Sequence, residues 1–311
     1  MNEFWNSRNV LVTGAGGFIG SHLVERLVRA GANVRAFTRY NSRGDGGMLR
    51  QLDSSIIDQI EIVAGDLRDE DAVRKIVKDR QTVFHLGALI SIPYSYHHPG
   101  EVVSTNVIGT MNVLLASRDL GVERLVHTST SEVYGTARSA PISEAHPLQG
   151  QSPYSASKIG ADKLAESFFC AYNLPVVTVR PFNTYGPRQS GRAVIPTILT
   201  QALTSDVVHL GNLESTRDFT YVDDTVMGFI KAAQTNVGLG EVFNLGTGEE
   251  IRIGDLAEMI IRLAGRNVKI ETEPERMRPA RSEVMRLISD NRWAREELGW
   301  MPSFSLEEGL E

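Results

Sequence analysis

The run Val10-Leu11-Val12-Thr13-Gly14-Ala15-Gly16-Gly17-Phe18-Ile19-Gly20 constrains the fold more than any other stretch of the chain. Three apolar residues lead into a glycine cluster, and apolar residues then recur at Ile19, Leu23, Leu27 and Val28. The pattern predicts a buried parallel strand, a tight turn and a helix. Such a unit suits a dinucleotide pyrophosphate. Glycines let the backbone approach the phosphates, and the free N–H groups of a helix start face their charge. The spacing is Gly14-x-x-Gly17-x-x-Gly20, and a glycine turn by itself can serve packing alone. The flanking strand and helix favour a nucleotide site.

Further along, Asn33-Val34-Arg35-Ala36-Phe37 reads as a second strand running out into Thr38-Arg39-Tyr40-Asn41-Ser42-Arg43. An acidic residue there would suit the ribose hydroxyls of NAD. Arg39 suits a ribose phosphate instead, which tilts the expectation to NADP, with NAD and a merely solvated Arg39 left open. The loop Gly44-Asp45-Gly46-Gly47 is expected to be mobile. A third strand, residues 60–65, ends at Asp66 and Leu67. Asp66 is expected either to accept from an adenine amino group or to cap the helix starting near Asp69. A fourth strand, residues 82–85, closes on Leu86, Gly87 and Ala88, small enough at its end for a cofactor to lie close. His85 reads as a core histidine. The neighbours His97 and His98 rarely converge on one ion, so no metal site is expected. A helix over about 102–120, ended by Gly121, precedes a fifth strand at residues 124–129. This alternation predicts an α/β fold with a doubly wound parallel sheet.

Composition narrows the classes. With 311 residues, 41% of them apolar and 23% charged, the chain can bury a sizeable core. A net charge of −6 offers no basic stripe for nucleic acid. No apolar run approaches membrane-spanning length and residues 1–6 lack signal-peptide features, so a cytoplasmic location is expected. Cys170, the one cysteine, reads as a buried small hydrophobe.

The fifth strand feeds Thr130-Ser131-Glu132-Val133-Tyr134-Gly135, and Ser152-Pro153-Tyr154-Ser155-Ala156-Ser157-Lys158 opens a helical pattern through Tyr172. Tyr154 and Lys158 lie four apart, on one helical face. An ammonium beside a phenol favours phenolate and makes a base near neutral pH. With a hydroxyl from Thr130 on the same substrate oxygen, these groups suit removal of a carbinol proton while its carbon gives hydride to nicotinamide.

These motifs, together with Arg180-Pro181-Phe182-Asn183-Thr184-Tyr185-Gly186-Pro187-Arg188, Arg217-Asp218-Phe219-Thr220-Tyr221-Val222-Asp223-Asp224 and Phe243-Asn244-Leu245-Gly246-Thr247-Gly248, resemble an extended short-chain dehydrogenase/reductase of the branch that remodels nucleotide-activated sugars. The resemblance spans nearly the whole chain. It implies a Rossmann-like domain over 1–178, a smaller α/β C-terminal substrate lobe over 179–311 with some segments returning to the sheet, and a homodimer. It implies cofactor contacts at Gly14, Gly16, Gly17, Phe18, Ile19, Gly20, Arg39, Asp66, Leu67, Leu86, Gly87, Ala88, Tyr154, Lys158 and Pro181. The substrate, a nucleotide-diphosphate sugar, would meet Ser91, Asn183, Arg188, Val194, Arg217, Arg278 and Glu283. A guanidinium such as Arg217 can grip two phosphate oxygens at once.

Members of this branch oxidise the sugar at C4, transform the 4-keto intermediate and return the hydride. Glu132 bears on the middle step. Simple 4-epimerases usually lack a carboxylate there, whereas in 4,6-dehydratases the glutamate removes the C5 proton before the C6 hydroxyl leaves. Many dehydratases place an aspartate just before it as acid; here Ser131 stands instead, so Glu132 acting twice or a water would serve. The stretches 88–96 and 143–154 are similar to N-acetylglucosamine nucleotide 4,6-dehydratases of the legionaminic-acid type. UDP-glucuronate decarboxylases share Thr-Ser-Glu, but their arginine-rich C-terminal segment matches 276–284 poorly. A 4,6-dehydratase is the first expectation, a 4-epimerase or decarboxylase the second. A dinucleotide-binding sensor or scaffold is a third, which has no need of Thr130, Glu132, Tyr154 and Lys158 together. Asp223 or Asp224 is expected as a helix N-cap. Relatives usually continue into another helix after 305–310, so a chain ending there is expected to expose apolar surface or to have it covered by a partner.

Overall fold

The computed structural model describes residues 2–311. Seven parallel strands form the central sheet: β1 Asn9–Thr13, β2 Asn33–Arg39, β3 Ile60–Gly65, β4 Thr82–His85, β5 Arg124–Thr128, β6 Val176–Pro181 and β7 Val242–Leu245. Their order, β7-β6-β5-β4-β1-β2-β3, reverses direction between β1 and β4. That reversal opens a crevice at the carboxyl ends of both strands, where ligands of such sheets bind. The fold is the expected Rossmann-like α/β arrangement.

Strand alternation distributes the core. Val10 and Val12 join Leu23, Leu27, Phe84 and Phe229 on one face, while Leu11 joins Val83, Val113, Leu125 and Phe168 on the other. The helices include α1 Phe18–Arg29, α2 Glu70–Val77, α3 Gly109–Asp119, α4 Pro153–Tyr172 and α5 Val194–Thr204. They continue with α6 Val222–Gln234, α7 Ile253–Leu263, α8 Arg292–Leu298 and α9 Leu306–Leu310. A third cluster, with Ile198, Val208, Leu256 and Ile260, is the core of the lobe. β6 runs across residue 178 and β7 comes from beyond it, so the sheet takes its last edge from the C-terminal part.

Several expectations are modified. The helix over 102–120 is interrupted by a π turn at Ser104–Ile108, which turns Asn106 inward. Its amide accepts from Leu89 N at 2.7 Å and donates to Leu89 O at 3.0 Å and Ser157 Oγ at 2.9 Å. The loop after β4 is thereby tied to the catalytic helix. Cys170 is exposed, because it lies on the outer face of α4. The loop over 44–47 is stitched down: Asn41 Oδ1 accepts from Arg43 N and Asp45 N, and Met48 N reaches Gly16 O at 2.9 Å. Asp223 and Asp224 lie inside the first turn of α6, after its N-cap Tyr221. Asp224 is buried and instead receives Ser303 N and Phe304 N, at 2.9 and 3.1 Å. α9 buries part of Leu306 and Leu310 against the lobe core. No described helix is long and apolar enough to cross a membrane.

Candidate active site

The glycine turn follows from tight packing. Gly14, at φ +68°, touches the strand end at residue 87, where an added Cβ would stand 2.8 Å from Gly87 N. Gly20 is pressed onto the turn so closely that its Cβ would meet Gly14 O at 2.2 Å. α1 begins after Gly17 with no side-chain cap. The glycines thus bring β1, β4 and α1 together, and the uncapped helix start suits an anion.

This turn opens on a cleft of about 690 Å³. Its walls include Gly16, Gly17, Phe18, Ile19, Leu86, Ala88, Thr130, Glu132, Tyr154, Pro181, Asn183 and Arg278. A smaller recess at its end is lined by Phe37, Arg39, Asp66, Leu67, Gly87 and Ala88. Four buried side-chain atoms without hydrogen-bond partners belong to residues of the large cleft: Thr128 Oγ1, Asn183 Oδ1, Gln189 Oε1 and Arg278 Nη1. Buried polar atoms are seldom left unpaired, so these mark a place for a polar ligand. The glycine cradle and the recess fit a dinucleotide.

The catalytic candidates converge from two elements. Thr130 ends the β5 segment and accepts Glu132 N at 3.3 Å, turning Glu132 toward the cleft. Ser152 caps α4, with Ser155 closing a capping box, so Tyr154 and Lys158 sit in its first two turns. The Thr130 hydroxyl lies near enough to Tyr154 to affect its phenol, and Lys158 Nζ donates to Thr128 O at 2.6 Å. The expected lowering of the phenol by the lysine is not what this arrangement gives. Burial raises Tyr154 above its usual range; the Thr130 hydroxyl opposes this, while the charges of Glu132 and Asp162 add to it. Burial likewise brings Lys158 down to about 8, against the attraction of Asp162.

Behind this face lies a buried polar network that sequence reading missed. Asp162, one turn below Lys158, bonds His127 Nε2 at 3.1 Å, Ser129 Oγ at 2.7 Å and Arg180 Nη2 at 2.9 Å. Burial raises its carboxyl, but the His127 bond and the Arg180 charge outweigh that and hold it at about 2. Arg180 also reaches Tyr134 OH at 2.9 Å. The signal was available: an aspartate among the apolar positions of a helix requires partners.

In the lobe, Arg217 is buried and stands 3.6 Å from Glu283. Arg278 Nη1 lies 3.9 Å from Glu132 and 4.0 Å from Glu283. Asn183 joins the cleft wall, as does Gln189, which sequence reading did not single out. Other residues fall elsewhere. Ser131 is buried, outside the cleft lining. Ser91 caps the short helix Ile92–His97, accepting Tyr94 N at 3.3 Å. Val194 opens α5 and packs on the lobe core. Arg188 points away from the cleft, toward Glu25 and His22 on α1. Asp66 is gripped by Arg68 and does not cap α2, whose cap is Asp69. His85 is a core histidine, bonded to Thr13 Oγ1 and Thr110 Oγ1 at 2.8 and 3.0 Å.

A parallel sheet with this glycine turn, and a Thr130–Tyr154–Lys158 cluster at its carboxyl edge beside Glu132, defines an extended short-chain dehydrogenase/reductase. The family model described as GDP-mannose 4,6 dehydratase matches residues 11–311. The chain belongs to that family, which makes it an enzyme of the nucleotide-sugar dehydratase/epimerase group. It is 36% identical over 306 residues to a UDP-glucose 4-epimerase of Mycolicibacterium smegmatis, covering 96% of this chain and 95% of the relative. A UDP-glucose 4-epimerase from Thermotoga maritima, solved with UDP-glucose, superposes with a TM-score of 0.88 at 32% identity, covering 97% and 96%. A dTDP-glucose 4,6-dehydratase from Streptomyces venezuelae with NAD bound gives a TM-score of 0.87 at 29% identity, covering 97% and 94%.

Proposed function

We propose that this chain is a nucleotide-sugar 4,6-dehydratase acting on a UDP- or GDP-N-acetylglucosamine-type substrate. The observation that carries the reading is Glu132, a carboxylate on the cleft wall beside Thr130 and Tyr154. A nicotinamide held in the glycine cradle would supply a hydride acceptor for C4 and a hydride donor for C6. Tyr154, as the phenolate that the Lys158 ammonium favours, would take the C4 hydroxyl proton and become the neutral phenol beside the Thr130 hydroxyl. Glu132 takes the C5 proton, acidified by the new ketone, and passes it to the departing C6 hydroxyl, so water leaves. Ser131 carries no ionisable acid, which gives Glu132 both steps. Hydride return at C6 is matched by a solvent proton delivered to C5, directly or after it has reprotonated Glu132.

Gly14 to Gly20 would hold the pyrophosphate, and Leu86, Gly87, Ala88 and Pro181 the faces of the cofactor. Arg39, exposed at the rim of the adenine-side recess, supports NADP; NAD, bound in the Streptomyces dehydratase, is the alternative. Asn183, Arg217, Arg278 and Glu283 would take the nucleotide sugar. Exposed Val103, Ile108 and Tyr172, on 99–119 and α4, support a homodimer.

A second reading, a 4-epimerase, is favoured by the match to the Mycolicibacterium epimerase. Mass spectrometry after incubation with UDP-, GDP-, CDP- and dTDP-sugars separates the two. Loss of one water with solvent deuterium entering the product supports the dehydratase. Unchanged mass with inverted C4 makes the chain an epimerase, and loss of carbon dioxide from UDP-glucuronate a decarboxylase.

A further inference from the structure

Arg188 carries a positive φ of +67°, a conformation that residues with a Cβ seldom adopt. What holds it there is α1. Arg188 Nη2 donates to Glu25 Oε2 at 2.7 Å and to His22 Nδ1 at 2.8 Å. His22 Nε2 lies 2.9 Å from Pro187 O. A carbonyl only accepts, so Nε2 carries the hydrogen and Nδ1 offers its lone pair to Arg188 Nη2, while Arg188 Nε, 3.2 Å from Nε2, makes no bond to the ring. The ring of Phe18, from the glycine turn, packs edge-on against His22 at 5.7 Å. On the other side of Arg188 the chain enters the cleft wall at once, with Gln189, Ser190 and Ala193. Gln189 Nε2 is anchored on Thr184 O at 2.9 Å, and its Oε1 is one of the buried atoms without a partner.

We propose that Arg188 is a positioning residue: with Glu25 and His22 it pins segment 187–193 to the helix of the cofactor cradle and so sets the substrate side of the cleft. The effect on catalysis rests on the reading that this cleft takes a nucleotide sugar. The pin itself does not. A guanidinium suits the task because its planar fork engages a carboxylate and an imidazole together. A strained φ carries a cost, which a charge-assisted pair of this kind offsets. One consequence is that the two halves of the cleft cannot shift independently.

The test compares Glu25→Gln, Arg188→Asn and the double variant by amide hydrogen exchange and steady-state kinetics. Asparagine tolerates positive φ, so the backbone at 188 is spared. Both single variants are expected to speed exchange over 187–193 about tenfold, with the double variant no faster than Arg188→Asn. For whichever sugar nucleotide the wild type converts, KM should rise about tenfold in both, with kcat within about twofold. Wild-type exchange and KM in Glu25→Gln, beside a raised KM in Arg188→Asn, would overturn the proposal and make Arg188 a direct ligand of the substrate. Unchanged exchange in every variant would also overturn it. Exchange needs no substrate, so failure of the dehydratase reading leaves the pin to be judged on that measurement alone.

Discussion

Two charged clusters flank the catalytic helix, and they are built to opposite standards. Below Lys158, Asp162 is saturated: His127, Ser129 and Arg180 approach within 2.7–3.2 Å, all buried. Above Tyr154, the guanidiniums of Arg217 and Arg278 stand 3.6–4.0 Å from Glu132 and Glu283, and Arg278 Nη1 has no partner. In the lower cluster both Asp162 oxygens are paired without a ligand, and the one orphan is His127 Nδ1. The upper one leaves donors unspent, as the proposed diphosphate site requires, because groups already tightly paired would have to give up those bonds on binding. On the proposed function, paired charges fix the frame and loosely paired charges would receive the substrate.

The sharpest way to break this contrast is at Glu132. Glu132→Gln is expected to lower turnover by about 10²–10⁴-fold, the range for a lost general base, with the unfolding midpoint unchanged. A comparable fall in Tm would move Glu132 into the structural set. Asp162→Asn should do the reverse, destabilising the fold by about 3–5 kcal/mol in urea titration because Arg180 is left buried without its counter-charge. A loss below about 1 kcal/mol would show that the lower cluster is not the frame. Arg278→Met should leave stability within about 0.5 kcal/mol, yet weaken nucleotide-diphosphate binding by about 1.5–3 kcal/mol in calorimetry. Unaltered binding would remove Arg278 from the diphosphate site.

The smallest effect is in pH. Lys158, brought down to about 8 by burial, loses its charge as pH rises through that value. The rate should therefore fall with an alkaline limb near pH 8, absent in Lys158→Met. The unfolded chain keeps this proton up to about 10.5 while the folded chain has released it. Linkage then makes this group's contribution favour the folded state increasingly from pH 8 to 10.5. A limb unmoved by Lys158→Met would assign it to another group.

Much of the fold was legible because it is local. The strand alternation, the glycine turn and the Tyr154–Lys158 spacing each carry their meaning within a few residues. Thr130 and Glu132 were legible in the same way, at the end of a strand. What escaped depends on tertiary partners. Nothing near Arg188 in sequence shows that Glu25, 163 residues earlier, will claim its guanidinium. Ser91 and Val194 are likewise absorbed by a cap and by the lobe core. The expected lowering of Tyr154 considered one neighbour, whereas the phenol answers first to burial, then to the Thr130 hydroxyl and only after that to two carboxylates.

The return of β7 to the outer edge of β6 bears on how the chain is made. Residues 176–181 leave the ribosome about sixty residues before 242–245 arrive to cover them. During that interval the nascent sheet ends in an open edge of Val176, Val177 and Val179, which are buried in the finished protein. Such an edge is a template for pairing with another chain. A message cut short before codon 242 would accordingly yield an aggregating fragment rather than a free cofactor domain.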